Sequence, residues 1–131
     1  MSQEAREIAD KLGAAIAARD ADAVRSLYDR DIVVWHAMTN EGQTREENVG
    51  LLAGVFAISS QLEYKDIRRH DIDGGVVQQH YLSGTFADGK PMPDLHACLV
   101  ITVANGKITR IDEYFDSPAF AEVWERLEAL G

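Results

Sequence analysis

Cysteine is nearly missing from this chain. Its single occurrence, Cys98, excludes an intramolecular disulfide and any cysteine cluster for zinc, and fits a reducing cytoplasm, the expected location. Basic residues are also scarce: 13 Lys and Arg stand against 22 Asp and Glu, a formal net charge of −9. A polyanionic partner such as nucleic acid is disfavoured, because attraction to phosphates supplies most non-specific affinity. No long apolar run is present either. The longest, "ACLVITVA", falls far short of the roughly 18 residues that span a membrane, and "MSQEAREIAD" carries acids where a signal peptide has a basic segment. No membrane association is expected. Pro (3) and Gly (10) are too few for a disordered or linker-rich chain. A glycine-rich phosphate loop and a G-x-S-x-G elbow are lacking, so nucleotide binding and serine hydrolysis find no support.

What is present reads as one domain over residues 1–131, large enough to bury a core around a cavity. Ile8, Leu12 and Ile16 recur at spacing four, predicting a helix over 3–19, and Val24 and Leu27 suggest a short second helix over 21–28. "DIVVWHAM" at 31–38 reads as a strand followed by a polar turn. Thr44 and Glu47 then form a capping box before Val49, Leu52, Ala53 and Phe56, the apolar stripe of a third helix. From Gln61 onward, "DGG", "ADGK" and "ANGK" punctuate four strands, and such turns join antiparallel neighbours. Ser117 and Pro118 begin a last helix. The order α-α-β-α-β-β-β-β-α predicts an α+β domain with a curved, mostly antiparallel sheet wrapped around helices.

Strand alternation sorts the chemistry-bearing side chains. In "KITRIDEYFD", Ile111, Glu113 and Phe115 share one face, while Ile108, Arg110, Asp112, Tyr114 and Asp116 share the other. Glu113 is therefore the candidate interior acid, and Asp116 sits where a carboxylate favours a helix start. His80 falls with Val76, Gln78, Leu82 and Phe86 on the more apolar face of its strand. Periodicity alone cannot choose between Trp35 and His36 in the first strand. Leu95, Ala97 and Leu99 face opposite His96, Cys98 and Val100, which are expected to cover a partner subunit in a homodimer. A strand histidine is more often structural than catalytic. No H-x-H or H-E-x-x-H spacing supports a metal, and neither metal nor cofactor is expected.

"TREENVGLLAGVF" and above all "ITVANGKITRIDEYFDSPAF" resemble the SnoaL-like branch of the nuclear transport factor 2-like superfamily, whose members include polyketide cyclases, ketosteroid isomerases and limonene-epoxide hydrolases. The resemblance implies a cystatin-like cone, an α+β barrel, closing on an apolar pocket with a few acid or base groups in its wall. Against the epoxide hydrolases, their second catalytic aspartate matches Glu113, their arginine and first aspartate match His80 and Leu82, and their water-holding asparagine matches His36. The charged triad is thus broken while one carboxylate is kept.

Together these readings make Glu113, His80 and His36 the candidate catalytic residues, with Val34, Phe56, Gln78, Leu82, Leu95, Ala97 and Phe115 expected to bind substrate. A carboxylate between Ile111 and Phe115 should lose hydration, which raises its pKa toward the range useful to a general acid or base. The expected function is a cofactor-independent acid/base enzyme for a small apolar molecule bearing a carbonyl or hydroxyl: an isomerase, aldol-type cyclase, dehydratase or lyase. The alternatives are a non-catalytic ligand-binding or dimerisation module on the same scaffold and an epoxide hydrolase with an altered site.

Overall fold

The computed structural model describes residues 2–130. Four helices, α1 (Ser2–Ala18), α2 (Ala21–Leu27), α3 (Arg45–Ala57) and α4 (Ser117–Leu130), accompany six strands. These are β1 (Tyr28–His36), β2 (Glu41–Gln43), β3 (Ser59–Ile72), β4 (Gly75–Phe86), β5 (Leu95–Ala104) and β6 (Lys107–Phe115). They form one mixed sheet of order β2-β1-β6-β5-β4-β3, open at both edges. Every neighbouring pair is antiparallel except β1 and β6, which run parallel.

Local chemistry explains the elements. Thr44 Oγ1 accepts from the Glu47 amide while Glu47 Oε1 accepts from the Thr44 amide, so the capping box starts α3 where the sequence places it. Asp20 caps α2 by accepting from the Ala23 amide. Asn105 and Gly106 both adopt positive φ (53° and 77°), the geometry of a two-residue hairpin between β5 and β6.

On the concave face α1 lies across β3 and β4, burying Ile8, Leu12 and Ile16, and α3 contributes Val49, Val55 and Phe56. Together with Phe86, Leu99, Ile101, Ile108 and Ile111 they form one continuous core. Burying each such side chain stabilises the fold by roughly 1.5–3 kcal/mol against leaving it exposed. Between the layer of helices and the concave face a cavity remains.

Three features depart from the sequence reading. The polar turn after the first strand contains β2, a three-residue edge strand that pairs Val34 with Gln43. Short polar strands carry too little periodicity to detect. The first strand runs Tyr28–His36 rather than 31–38, since Tyr28 leaves α2 with extended dihedrals and turns its ring into the core. Ile108 does not face outward with Arg110 and Asp112 but is fully buried. The β5–β6 register shifts there, pairing Thr102 with Arg110 and Val103 with Ile108, so the extra residue of a bulge returns Ile108 to the inner face. Another bulge, at Asp66 with φ of 55°, bends the edge strand β3.

Candidate functional site

Register decides which groups meet. His36 on β1 lies opposite Glu113 on β6, Glu113 opposite Leu99 on β5, Leu99 opposite Gln78 on β4, and Gln78 opposite Arg69 on β3. One row of the concave face thus carries His36, Glu113, Gln78 and Arg69. The next row carries Phe115, Ala97 and His80. His36, rather than Trp35, is the inward residue of the first strand: it is 8% exposed, while the Trp35 indole lies on the outer face against Tyr114.

A cavity of about 260 Å³ opens above these rows, a little below the roughly 300 Å³ at which small-molecule sites usually begin. His36, His80 and Glu113 all line it, beside Phe56, Leu82, Leu95, Ala97 and Phe115. Two of the expected substrate contacts do not. Val34 faces inward but lies two residues deeper than His36 and is spent on the core at 2% exposure. Gln78 is 1% exposed beneath the cavity wall, occupied by hydrogen bonds to Arg69 and His80.

Sequence reasoning missed the cavity's far walls. Tyr64, whose ring stacks on His80 at 3.9 Å, comes from the long edge strand β3. Phe120, Val123 and Trp124 come from α4, and Leu51, Leu52 and Val55 from α3. The helical stripes were readable, but a stripe does not tell whether it seals a core or walls a hole. Phe115, Phe120 and Trp124 form a line of aromatic contacts to the mouth, where Trp124 and Met38 are half exposed. Gln43 and Asn48 add a polar corner: the Tyr28 hydroxyl donates to Asn48 Oδ1 (2.8 Å), and Asn48 Nδ2 donates to Gln43 Oε1 (2.9 Å).

The titratable groups are held in distinct ways. His36 Nε2 lies 2.9 Å from Glu113 Oε1, so the ring N–H donates to the carboxylate, whose side chain keeps 27% of its exposure. Across the cavity, Gln78 Nε2 meets His80 Nδ1 at 2.9 Å. Burial, with a smaller contribution from the Arg69 charge, lowers the His80 pKa to about 4 against the opposing pull of Glu113. His80 is therefore a neutral imidazole at physiological pH. No buried side-chain nitrogen or oxygen among the described residues lacks a partner, which leaves His80 Nε2, unbonded within the protein, to the open space of the cavity. Burial and the Glu113 charge raise the Tyr64 pKa well above its usual value, so its hydroxyl stays protonated. Asp112 hydrogen-bonds Arg110 and shares the outer face with Trp35, and Asp116 directly precedes α4.

Chemically, the site sets a carboxylate on β6, held by one histidine, and a second, neutral histidine two strands away on β4, one row further along, around the same cavity. Among the described residues no three His, Cys, Asp or Glu side chains stand together as a metal-binding group, and no helix is long and apolar enough to cross a membrane.

The fold recurs in solved structures. PrhC from Penicillium brasilianum superposes with a TM-score of 0.79 at 14% identity, over 97% of this chain and 89% of that one. A candidate SnoaL-like polyketide cyclase from Shewanella putrefaciens gives 0.78 at 14% identity, over 93% and 85%. An uncharacterised protein with a cystatin-like fold from Silicibacter pomeroyi gives 0.68 at 14% identity, over 93% and 83%. At such identities the likeness concerns the fold alone. A search of curated proteins returned no match. The SnoaL-like domain pattern, however, matches residues 9–111, from the middle of α1 to the core of β6, and on that match the chain belongs to the SnoaL-like domain family.

Proposed function

We propose that the protein is a cofactor-independent enzyme that moves a proton on a small, largely apolar carbonyl compound, in the manner of an isomerase or aldol-type cyclase. One observation carries this reading: the Glu113 carboxylate and the neutral His80 imidazole face the same apolar cavity from different strands. Glu113 acts as general base and takes a proton from the carbon next to the carbonyl. As the C–H bond breaks, its electron pair moves onto the carbonyl oxygen, and the N–H of His80 donates to the oxyanion that forms. The protonated Tyr64 hydroxyl is available as a second donor on the same wall.

His36 has a supporting part. Its N–H keeps the carboxylate in one orientation, so the base is aimed before substrate arrives. The apolar walls exclude water around the developing charge, and the aromatic line from Phe115 to Trp124 admits a flat, hydrophobic molecule.

The reading of SnoaL-like relatives as polyketide cyclases and ketosteroid isomerases points the same way. The test is hydrogen–deuterium exchange at the α-carbon of a panel of cyclic ketones in D₂O, followed by proton NMR. Exchange above the buffer rate that falls by about 10²–10⁴-fold in Glu113→Gln supports the assignment. Ketones that bind in titrations without any accelerated exchange would instead identify a non-catalytic ligand-binding module. Equal exchange by the wild type and Glu113→Gln would remove Glu113 from the mechanism.

A further inference from the structure

Four side chains run in a line from solvent to the cavity: Asp10 on α1, Arg69 on β3, and Gln78 and His80 on β4. Arg69 Nη1 donates to Asp10 Oδ1 at 2.6 Å, and Arg69 Nε donates to Gln78 Oε1 at 2.8 Å. Only the first member is exposed; the Arg69 side chain keeps 12% of its exposure and the two β4 residues 2% or less.

The direction of every bond in this line follows from its first donor. A guanidinium has no acceptor, so the Gln78 atom facing Arg69 must be the amide oxygen. The amide nitrogen then faces His80 Nδ1 at 2.9 Å, and an amide nitrogen can only donate. Nδ1 is therefore the bare nitrogen, and the single proton of the neutral ring sits on Nε2. Without Arg69 the amide of Gln78 could turn over, present its oxygen to Nδ1–H, and leave Nε2 as a bare acceptor toward the cavity.

We propose that Arg69, anchored by Asp10, is a positioning residue that sets the tautomer of His80 through Gln78, so that the cavity is presented with an N–H donor. The proposal rests on the role given above to His80, and it narrows the ligand: the group seated at His80 must offer an acceptor, such as a carbonyl, enolate or hydroxyl oxygen, and a group that can only donate is refused there. A merely structural tie between α1 and the edge strand would need the Asp10–Arg69 pair but not the continuation through Gln78.

The experiment reads the tautomer directly and needs no ligand. Long-range ¹H–¹⁵N correlation spectra of protein labelled with ¹⁵N-histidine at pH 7 distinguish a protonated from a bare ring nitrogen, and His80→Asn identifies the His80 signals among the four histidines. In the wild type, His80 should show one tautomer, protonated at Nε2. Arg69→Met should convert it to a mixture of tautomers. Gln78→Glu, nearly identical in size, should invert it, because a carboxylate accepts from both Arg69 and His80 and draws the proton to Nδ1. The proposal is overturned if the wild type carries its proton on Nδ1, or if folded Arg69→Met and Gln78→Glu both keep the wild-type pattern. Should Arg69→Met fail to fold, the wild-type spectrum and the near-isosteric Gln78→Glu decide. Tautomer shifts as predicted with an unchanged ketone exchange rate would leave the positioning role standing and refute the oxyanion-donor role given to His80.

Discussion

Acidification tests the burial of His80 without any knowledge of substrate. In the unfolded chain this imidazole titrates near 6.5; in the folded protein its pKa falls to about 4, chiefly because burial penalises the charged form. Between those values the unfolded state binds a proton that the folded state refuses, so stability must rise with pH across this window and fall as the pH drops through it. Above pH 6.5 the ring is neutral in both states and contributes no pH dependence. At about 1.4 kcal/mol per tenfold, the full interval corresponds to roughly 3 kcal/mol. Other groups titrate in the same range, so the measurement is a comparison: urea unfolding from pH 7.5 to pH 4 for the wild type and for His80→Asn, which keeps a polar partner for Gln78 but does not titrate. The variant should be less stable at neutral pH, having lost the stack on Tyr64. The gap should close by about 3 kcal/mol on acidification, at a rate approaching 1.4 kcal/mol per pH unit. Parallel curves would refute the placement of His80 in a dehydrated setting.

Asp112→Asn should leave any ketone exchange intact, because Asp112 pairs with Arg110 on the outer face, away from the cavity; the exchange assay checks this. Thr44→Ala removes one half of the capping box and should cost about 1 kcal/mol, measured by chemical denaturation, with Glu47→Ala adding less than its own separate effect because the two share one motif. The outer face exposes Val33 on β1 and Tyr114 on β6, and carries Cys98, Val100 and His96 on the next strand, β5. A homodimer through this face is expected, light scattering at micromolar concentration should give twice the 14.5 kDa chain mass, and Tyr114→Asp should shift it toward the monomer.

Where one face of an element is buried and the other wet, its identity was legible in the sequence. The stripe of α1, the capping box of α3 and the turn at Asn105 and Gly106 state their roles locally, and so does the inward face of Glu113 between Ile111 and Phe115. Ile108 was misplaced because a bulge breaks period two without a sequence signal of its own. Trp35 and His36 could not be separated, since their strand is flanked by apolar residues at both parities, and only pairing with Glu113 distinguishes them. Tyr64 and Arg69 were passed over because β3 is an edge strand dominated by charge, whose few inward residues are picked out by contact with β4 and α1 rather than by pattern. The cavity itself is a property of packing, in which the same leucines and valines would spell a sealed core.

The parallel pairing of β1 with β6 bears on the order in which the molecule can assemble. β3, β4 and β5 are joined by hairpins and can zip up as each leaves the ribosome, whereas β1 must wait for β6, made near the end of synthesis, before it has a place in the sheet beyond its short partner β2. Contacts so distant along the chain are slow to close. His36 and Glu113 are brought together by that same late step, so a chain stalled or cut before β6 should hold a folded three-stranded meander and no trace of the paired acid and imidazole.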